Sequence, residues 1–276
     1  MFAKVYLEIT NVCNLACSFC VGTSRQKHFL TVEEFDTLCA KIRPHTKFLY
    51  FHVMGEPLLH PKIGVFLEHA HTAGFRVILT TNGTLLAEKS DILLSAPTLF
   101  KVSISLHSFE ANSGIQLNEY LTDCFDFADK ASQQGIISVF RLWNEGGANA
   151  YNPTILRALR ERFDGEWVKN TRGIRIRPKL FIEDGERFEW PLHAEKACER
   201  ITCYGMKDHI AVLCDGSVVP CCMDYDGRLA LGNLHNATLT EILSSDRARA
   251  FRASLDEGLA PSNECKLCGF AQKRFL

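Results

Sequence analysis

The chain has 276 residues, of which 46% are hydrophobic and 23% are charged, and its formal net charge is −1. This composition is that of a globular protein, and the balanced charge gives no support for binding to nucleic acid or to an anionic lipid surface. Because the chain has neither a run of about 18 apolar residues nor a signal-peptide pattern, we expect a cytoplasmic protein without a membrane span.

The first two thirds of the chain alternate between strand and helix patterns. Strands are predicted over 3–10, 48–54, 75–81, 101–107, 137–143 and 173–180. Helices are predicted between them, over 31–43, 61–73, 87–95, 116–134 and 153–163. This alternation predicts an α/β protein with a parallel sheet and right-handed crossovers, either an incomplete barrel or a doubly wound sheet.

The pattern changes near residue 198. Residues 209–221 predict a hairpin that turns at Asp215-Gly216, and the Thr238/Glu241 pair predicts the start of a helix. We therefore predict two domains, residues 1–197 and residues 198–276.

Twelve cysteines are the unusual feature of the composition, because clustered cysteines in a cytosolic chain indicate metal or cluster ligands rather than disulfides. Cys13, Cys17 and Cys20 follow the first strand with C-x3-C-x2-C spacing. Three thiolates on one loop can hold three corners of a [4Fe–4S] cube and leave one iron open. A zinc loop without its fourth ligand and three ordinary core thiols are the alternatives. Cys39 and Cys124 lie on apolar helix faces and are predicted to be core thiols.

This cysteine motif resembles that of the radical S-adenosylmethionine superfamily. The resemblance implies a partial (β/α)6 barrel with the cluster at the top of the first strand. It also implies that S-adenosylmethionine binds the open iron and is cleaved by reduction to a 5′-deoxyadenosyl radical. An external electron donor such as flavodoxin or ferredoxin is then expected.

Further motifs extend the resemblance. Met54-Gly55-Glu56-Pro57 looks like the family's GGEP motif, and Thr81-Asn82-Gly83 matches a tripeptide that often ends its third strand. Relatives often place an arginine after strand four to pair with the methionine carboxylate, but 109–129 contains no Arg, Lys or His, so Arg141 on strand five is the candidate. The cofactor-binding residues implied in this way are Phe19, Gly55, Glu56, Pro57, Asn82, Ser105 and Arg141.

Residue chemistry alone leaves alternatives open. Gly-Glu-Pro is as typical of an ordinary turn as of a cofactor-binding turn. The polar and basic strand residues, among them Arg175, Arg177 and Lys179, face either a ligand or the solvent.

The second group of cysteines resembles the SPASM/Twitch extension of radical enzymes. The residues that carry this likeness are Cys203, Gly216, Cys221, Cys265 and Cys268. The four-cysteine form implies one auxiliary [4Fe–4S] cluster, held by Cys203, Cys221, Cys265 and Cys268. A structural zinc site is the alternative, because four thiolates also suit tetrahedral zinc. The Gly-x4-Cys spacing favours Cys221 over Cys222, and Cys198 and Cys214 are left without a role.

Three functional hypotheses follow. In the first, the deoxyadenosyl radical takes a hydrogen from a small polar metabolite and the auxiliary cluster accepts the remaining electron, so that a C–H or C–OH carbon is oxidised. In the second, the substrate is a ribosomally synthesised peptide that is cross-linked, epimerised or given a thioether. A separate docking protein is then expected, because only about 12 residues precede Cys13. The third is a non-catalytic iron–sulfur or zinc scaffold. The sequence does not identify the substrate.

Overall fold

The computed structural model describes residues 1–112, 114–171 and 173–272. The chain forms two compact units. The terminal unit comprises Met1–Asn11, Thr23–Met54 and the chain from Phe188 onward, and the central unit comprises Val12–Gly22 and Gly55–Arg187.

The strands and helices are numbered in chain order. The strands are β1 (Lys4–Leu7), β2 (Phe48–Tyr50), β3 (Arg76–Thr81), β4 (Leu99–Ser105), β5 (Ile137–Glu145), β6 (Val168–Asn170), β7 (Gly173–Arg177), β8 (Leu180–Glu186), β9 (His209–Val212), β10 (Ser217–Val219) and β11 (Gly232–Asn233). The α-helices are α1 (Val32–Ile42), α2 (Ile63–Thr72), α3 (Leu86–Leu94), α4 (Leu117–Gln133), α5 (Asn152–Arg162), α6 (Leu239–Leu243), α7 (Asp246–Asp256), α8 (Asn263–Lys266) and α9 (Gly269–Gln272).

In the terminal unit the strands lie in the order β11-β10-β9-β1-β2. Strand β1 is parallel to β2 and β9, whereas β10 is antiparallel to β9 and β11. The predicted hairpin is confirmed, and Gly216 in its turn has a φ of +82° that favours glycine. Helix α1 begins with the predicted capping box, in which Thr31 Oγ1 accepts from the Glu34 N–H and Glu34 accepts from the Thr31 N–H.

In the central unit the strands lie in the order β3-β4-β5-β8-β7-β6. Strands β3, β4, β5 and β8 are parallel. Val102 and Ile104 on one face of β4 are buried, as is the apolar face of α4. The parallel strands with intervening helices confirm the predicted α/β class.

The strand predicted over 173–180 is confirmed over 173–177, but its place as the sixth strand of the parallel sheet is wrong. Residues 173–177 form β7, which is antiparallel to β8, and β8 is the strand that continues the parallel sheet beside β5. The chain turns at Lys179, which has a φ of +65°. Arg177 consequently donates to Ser132 Oγ at 3.0 Å and pairs with Asp129 on α4, so the hypothesis that it faces a ligand is also wrong.

Within these described ranges, no helix has the length and apolar character that crossing a membrane requires.

Candidate functional site

The three-cysteine loop lies in the central unit, and its thiols lie close together. The Cys20 N–H donates to the Cys17 carbonyl at 3.0 Å, which turns the loop back on itself. Burial, followed by the charges of Cys20 and Cys13, raises the pKa of Cys17 to about 12. Burial also raises the pKa of Cys13. Because thiolates this close repel one another, they fit a group whose own positive charge favours their ionised form.

Polar residues after β3 and β4 hold this loop. The Ser18 N–H and Oγ donate to Glu110 Oε1 at 2.9 and 2.6 Å. Asn14 accepts from the Asn82 amide and donates to Thr84 Oγ1, both at 2.8 Å. Sequence reasoning missed Glu110 and Asn14, because only the fold brings these distant segments to the loop.

The Gly-Glu-Pro turn connects the loop to β3. Gly55 has a φ of +77°, and the next residue, Glu56, donates its N–H to the Val12 carbonyl at 2.8 Å. The buried Glu56 carboxyl accepts from the Leu58 N–H at 3.0 Å, from Thr81 Oγ1 at 2.8 Å and from the Asn82 N–H at 2.7 Å. Burial raises its pKa to about 7 although these hydrogen bonds oppose the shift. A carboxylate offers about four acceptor positions, so about one is left for a ligand.

The turn of Asn82 and Gly83 is held in place by buried contacts. The Asn82 carbonyl accepts from Tyr120 Oη at 2.7 Å and from Ser108 Oγ at 3.2 Å. Gly83 has a φ of +85°, and a Cβ atom there would lie 2.8 Å from Cys124 Sγ. The buried Cys124 is thus a core thiol, as predicted, and it packs directly beneath the Asn82-Gly83 turn.

Phe19, in the cysteine loop, has its ring centroid 4.7 Å from that of His107. His107 Nδ1 lies 3.0 Å from the Arg141 carbonyl, and burial lowers the pKa of this histidine. Ser105, half-buried at the end of β4, lies opposite Arg141 in the strand register. The structure therefore brings these predicted residues to one end of the central sheet.

Arg141 has protein partners of its own. Its Nε donates to Glu183 Oε2 at 3.2 Å, its Nη1 donates to Thr80 Oγ1 at 3.3 Å, and its guanidinium lies 4.4 Å from the Trp143 ring centroid. Lys101 pairs with the other Glu183 oxygen at 3.2 Å. Glu183 already neutralises part of the charge of Arg141. The pairing of Arg141 with the cofactor carboxylate therefore stays a prediction.

The second group of thiols lies in the terminal unit. Burial raises the pKa of Cys221 well above its ordinary value, and the next causes are the charges of Cys203, Cys222, Cys265 and Cys268. All four predicted ligands are thus in one neighbourhood, and by their chemistry four thiolates suit either an iron–sulfur cluster or a zinc ion. No three His, Cys, Asp or Glu side chains enclose a single ion in the part of the chain that the structure describes.

Close backbone packing shapes this neighbourhood. The Gly205 N–H lies 3.3 Å from Cys203 Sγ, and a Cβ atom on Gly205 would lie 3.2 Å from Cys221 Cβ. A Cβ atom on Gly269, beside Cys268, would lie 2.9 Å from backbone atoms of Glu189. Both glycines are therefore required by close approach.

The two adjacent cysteines face different surroundings. Cys222 packs against the buried Ala211, Leu213 and Val219, and a hydrogen bond from Tyr6 lowers its pKa while burial raises it. Cys221 feels the charges of Cys203, Cys265 and Cys268 directly after burial. Cys222 also interacts with Cys203 and Cys268, but burial, the Tyr6 hydrogen bond and the charge of Lys4 affect its pKa more than Cys203 does. This geometry favours Cys221 as the ligand.

Family models match both parts of the chain. Residues 7–143 match the radical SAM superfamily, and residues 203–269 match the SPASM iron–sulfur cluster-binding domain. A cofactor-modifying protein of the tungsten-containing aldehyde ferredoxin oxidoreductase of Pyrococcus furiosus is 33% identical over 31% of this chain, and the chain spans only 25% of that relative. The S-adenosyl-L-methionine-dependent 2-deoxy-scyllo-inosamine dehydrogenase of Niallia circulans is 21% identical over 97% of this chain and 93% of its own.

Solved structures share the fold. The crystal structure of BtrN in complex with AdoMet and 2-DOIA superposes with a TM-score of 0.66 at 19% identity, and covers 97% of this chain and 93% of its own. Native anSMEcpe with bound AdoMet and a peptide superposes with a TM-score of 0.64 at 14% identity, and covers 98% of this chain and 89% of its own.

Proposed function

Because the chain belongs to the radical SAM superfamily and carries a SPASM-type domain, we propose that it oxidises a C–H or C–OH carbon of a small polar metabolite. The observation that most supports this proposal is that the cysteines form two clusters. Cys13, Cys17 and Cys20 form the first cluster, and the cysteines around Cys221 form the second.

The proposed roles of the residues follow from this arrangement. When bound, the iron–sulfur clusters and S-adenosylmethionine supply a 5′-deoxyadenosyl radical and an electron acceptor. Cys13, Cys17 and Cys20 would hold one cluster, and Cys203, Cys221, Cys265 and Cys268 would hold the auxiliary cluster. Phe19, Gly55, Glu56, Pro57, Asn82 and Ser105 would orient the cofactor, and Arg141 would pair with its carboxylate. The proposed domains are residues 1–197 and residues 198–276.

The small polar substrate is supported by the dehydrogenase relative that matches along almost the whole chain. Beside Arg141, the central sheet also carries the ion pair of Lys101 and Glu183, and charged groups of both signs suit hydrogen bonding to a polar molecule. A peptide substrate is the second candidate, because structural relatives have been solved with peptides bound. A flavodoxin or ferredoxin is the proposed electron donor.

The test is anaerobic reconstitution followed by reduction with S-adenosylmethionine present. We expect about eight irons per chain and release of 5′-deoxyadenosine. Changing Cys13, Cys17 or Cys20 to alanine should abolish that release, whereas Cys39→Ala, in the buried core, should leave it intact. Protein that takes up no iron, or that never cleaves the cofactor, would refute the proposal. Deuterium transfer into 5′-deoxyadenosine from labelled 2-deoxy-scyllo-inosamine or from a labelled peptide would then distinguish the two substrate classes.

A further inference from the structure

A buried ion pair in the terminal unit has no part in the proposed chemistry. The side chain of Glu8, just after β1, is 0% exposed, and that of Arg25 is 12% exposed. Glu8 Oε1 accepts from Arg25 Nη2 at 2.7 Å and from the Met54 N–H at 3.0 Å, and Oε2 accepts from the Cys214 N–H at 3.0 Å. One carboxylate thus binds three segments that are distant in sequence.

Arg25 extends this network to a loop near the auxiliary cysteines. Its Nε donates to the Tyr225 carbonyl at 2.9 Å, and its Nη1 lies 3.5 Å from Cys214 Sγ. Burial and the charge of Glu8 raise the pKa of Cys214 to about 12, so this thiol stays neutral beside the guanidinium. Cys214, which the sequence left without a role, is therefore part of this network.

The residues just before Arg25 bind the same loop. Thr23 Oγ1 donates to Asp226 Oδ1 at 2.6 Å. The Ser24 N–H donates to Asp226 Oδ1 at 3.2 Å, and Ser24 Oγ lies 3.3 Å from Oδ2. Along the chain, Thr23 comes three residues after Cys20, and Asp224 comes three residues after Cys221. The contacts therefore form where the chain leaves each of the two cysteine segments.

Stability alone does not account for this pair. The desolvation of two buried charges offsets much of their attraction, and apolar residues of similar size commonly stabilise a fold as well. What apolar residues cannot supply is directional bonding to the Met54 and Cys214 amides and to the Tyr225 carbonyl.

We propose that Glu8 and Arg25 are positioning residues that clamp the loop of residues 224–226 to the segment of residues 23–25. The clamp fixes the chain on the C-terminal side of Cys221, and so sets the geometry of the auxiliary thiols. This inference rests on the proposed function, because it treats Cys221 as an auxiliary ligand.

The experiment compares wild-type protein with the double variant Glu8→Gln/Arg25→Met, which removes both charges at nearly constant volume. The control, Asp246→Asn/Arg249→Met, removes an exposed pair from the same unit. Hydrogen exchange is measured on metal-free protein at Leu229, whose N–H donates to Asp224 in the clamped loop, and at Val212 in β9. We expect at least tenfold faster exchange at Leu229 in the clamp variant, with Val212 unchanged and no effect in the control.

Arg25→Lys provides a second measurement. Lysine keeps the charge that pairs with Glu8 but cannot bond Tyr225 and Glu8 through a planar fork, so it should restore only part of the protection at Leu229. In reconstituted protein, the clamp variant should also shift the electron paramagnetic resonance spectrum of the auxiliary cluster. Unchanged exchange at Leu229, or equal acceleration at Leu229 and Val212, would overturn the proposal, the latter by showing a purely stabilising role. If the wild-type protein takes up no iron on reconstitution, the proposed function is refuted. The exchange comparison is not affected by that result, because it uses metal-free protein.

Discussion

Gly83→Ala tests how the Asn82-Gly83 turn is built. The new methyl group would lie 2.8 Å from Cys124 Sγ and 3.0 Å from Tyr120 Oη, and the backbone there has a φ of +85°. Both neighbours are buried, and Tyr120 donates to the Asn82 carbonyl, so neither moves freely. The substitution should therefore strain the backbone and overpack the core together.

The two costs can be separated. A left-handed backbone costs a non-glycine residue about 1–2 kcal/mol, and overpacking a core costs about 1–3 kcal/mol. We expect Gly83→Ala to lower the free energy of unfolding by about 2–5 kcal/mol. Gly135→Ala is the matched control, because Gly135 has a φ of +87° with nothing within 4 Å of its added Cβ. It should lose only the backbone cost, about 1–2 kcal/mol.

The assay is urea unfolding of metal-free protein, including Cys124→Ala alone and combined with Gly83→Ala. Removing the sulfur makes room for the methyl group, so the double variant should be more stable than the sum of the single effects by about 1 kcal/mol or more. Equal losses for Gly83→Ala and Gly135→Ala, or strict additivity with Cys124→Ala, would refute the reasoning.

Two further predictions concern the auxiliary thiols. Cys221→Ala should lower the iron content from about eight to about four per chain, whereas Cys222→Ala should keep eight and lose only packing; the reverse would assign the ligand to Cys222. Cys265→Ala/Cys268→Ala should retain 5′-deoxyadenosine release but lose product formation, as chromatography of both would show. Four irons with one zinc in the wild-type protein would identify the second site as zinc.

The sequence predicted the features that depend on local chemistry. The capping box at Thr31 and Glu34 and the hairpin turn at Gly216 follow from a few neighbouring residues, and the structure has both. The alternation of strands and helices likewise predicted the parallel sheet. The likeness of the cysteine spacing predicted the superfamily, which the matching family models confirm.

Features that depend on distant contacts were not accessible in the same way. The β-forming residues over 173–180 gave no sign that the chain turns at Lys179, because the turn is stabilised by pairing with β8. Glu110 and Asn14 reach the cysteine loop through contacts with Ser18 and Asn82 that no spacing rule connects. No local pattern connects Glu8 with Arg25, since seventeen residues separate them along the chain.

Glu56 gives a prediction whose sign depends on pH. Burial raises its pKa from 4.5 to about 7. Between those two pH values the folded protein holds a proton that the unfolded chain has lost, so its contribution to stability falls as pH rises through this window. The total change is about 3 kcal/mol. Glu56→Gln cannot titrate, so its stability relative to the wild-type protein should rise by a similar amount between pH 4.5 and pH 8.

Urea unfolding of metal-free protein from about pH 3 to pH 8 measures the effect, and Glu241→Gln is a control of opposite sign. Hydrogen bonds from Thr238 lower the pKa of Glu241 from 4.5, so its loss should become more harmful as pH rises towards 4.5 and change little at higher pH. Suppose that Glu56→Gln behaved like Glu241→Gln. The hydrogen bonds from Leu58, Thr81 and Asn82 would then lower the pKa of Glu56 by more than burial raises it. Glu56 would then be a carboxylate at neutral pH, which is the state that accepts a hydrogen bond from a cofactor ammonium group. The expected result instead implies that a bound ammonium group must itself supply the charge that ionises Glu56, so cofactor binding would release a proton from Glu56 near pH 6 and none near pH 8.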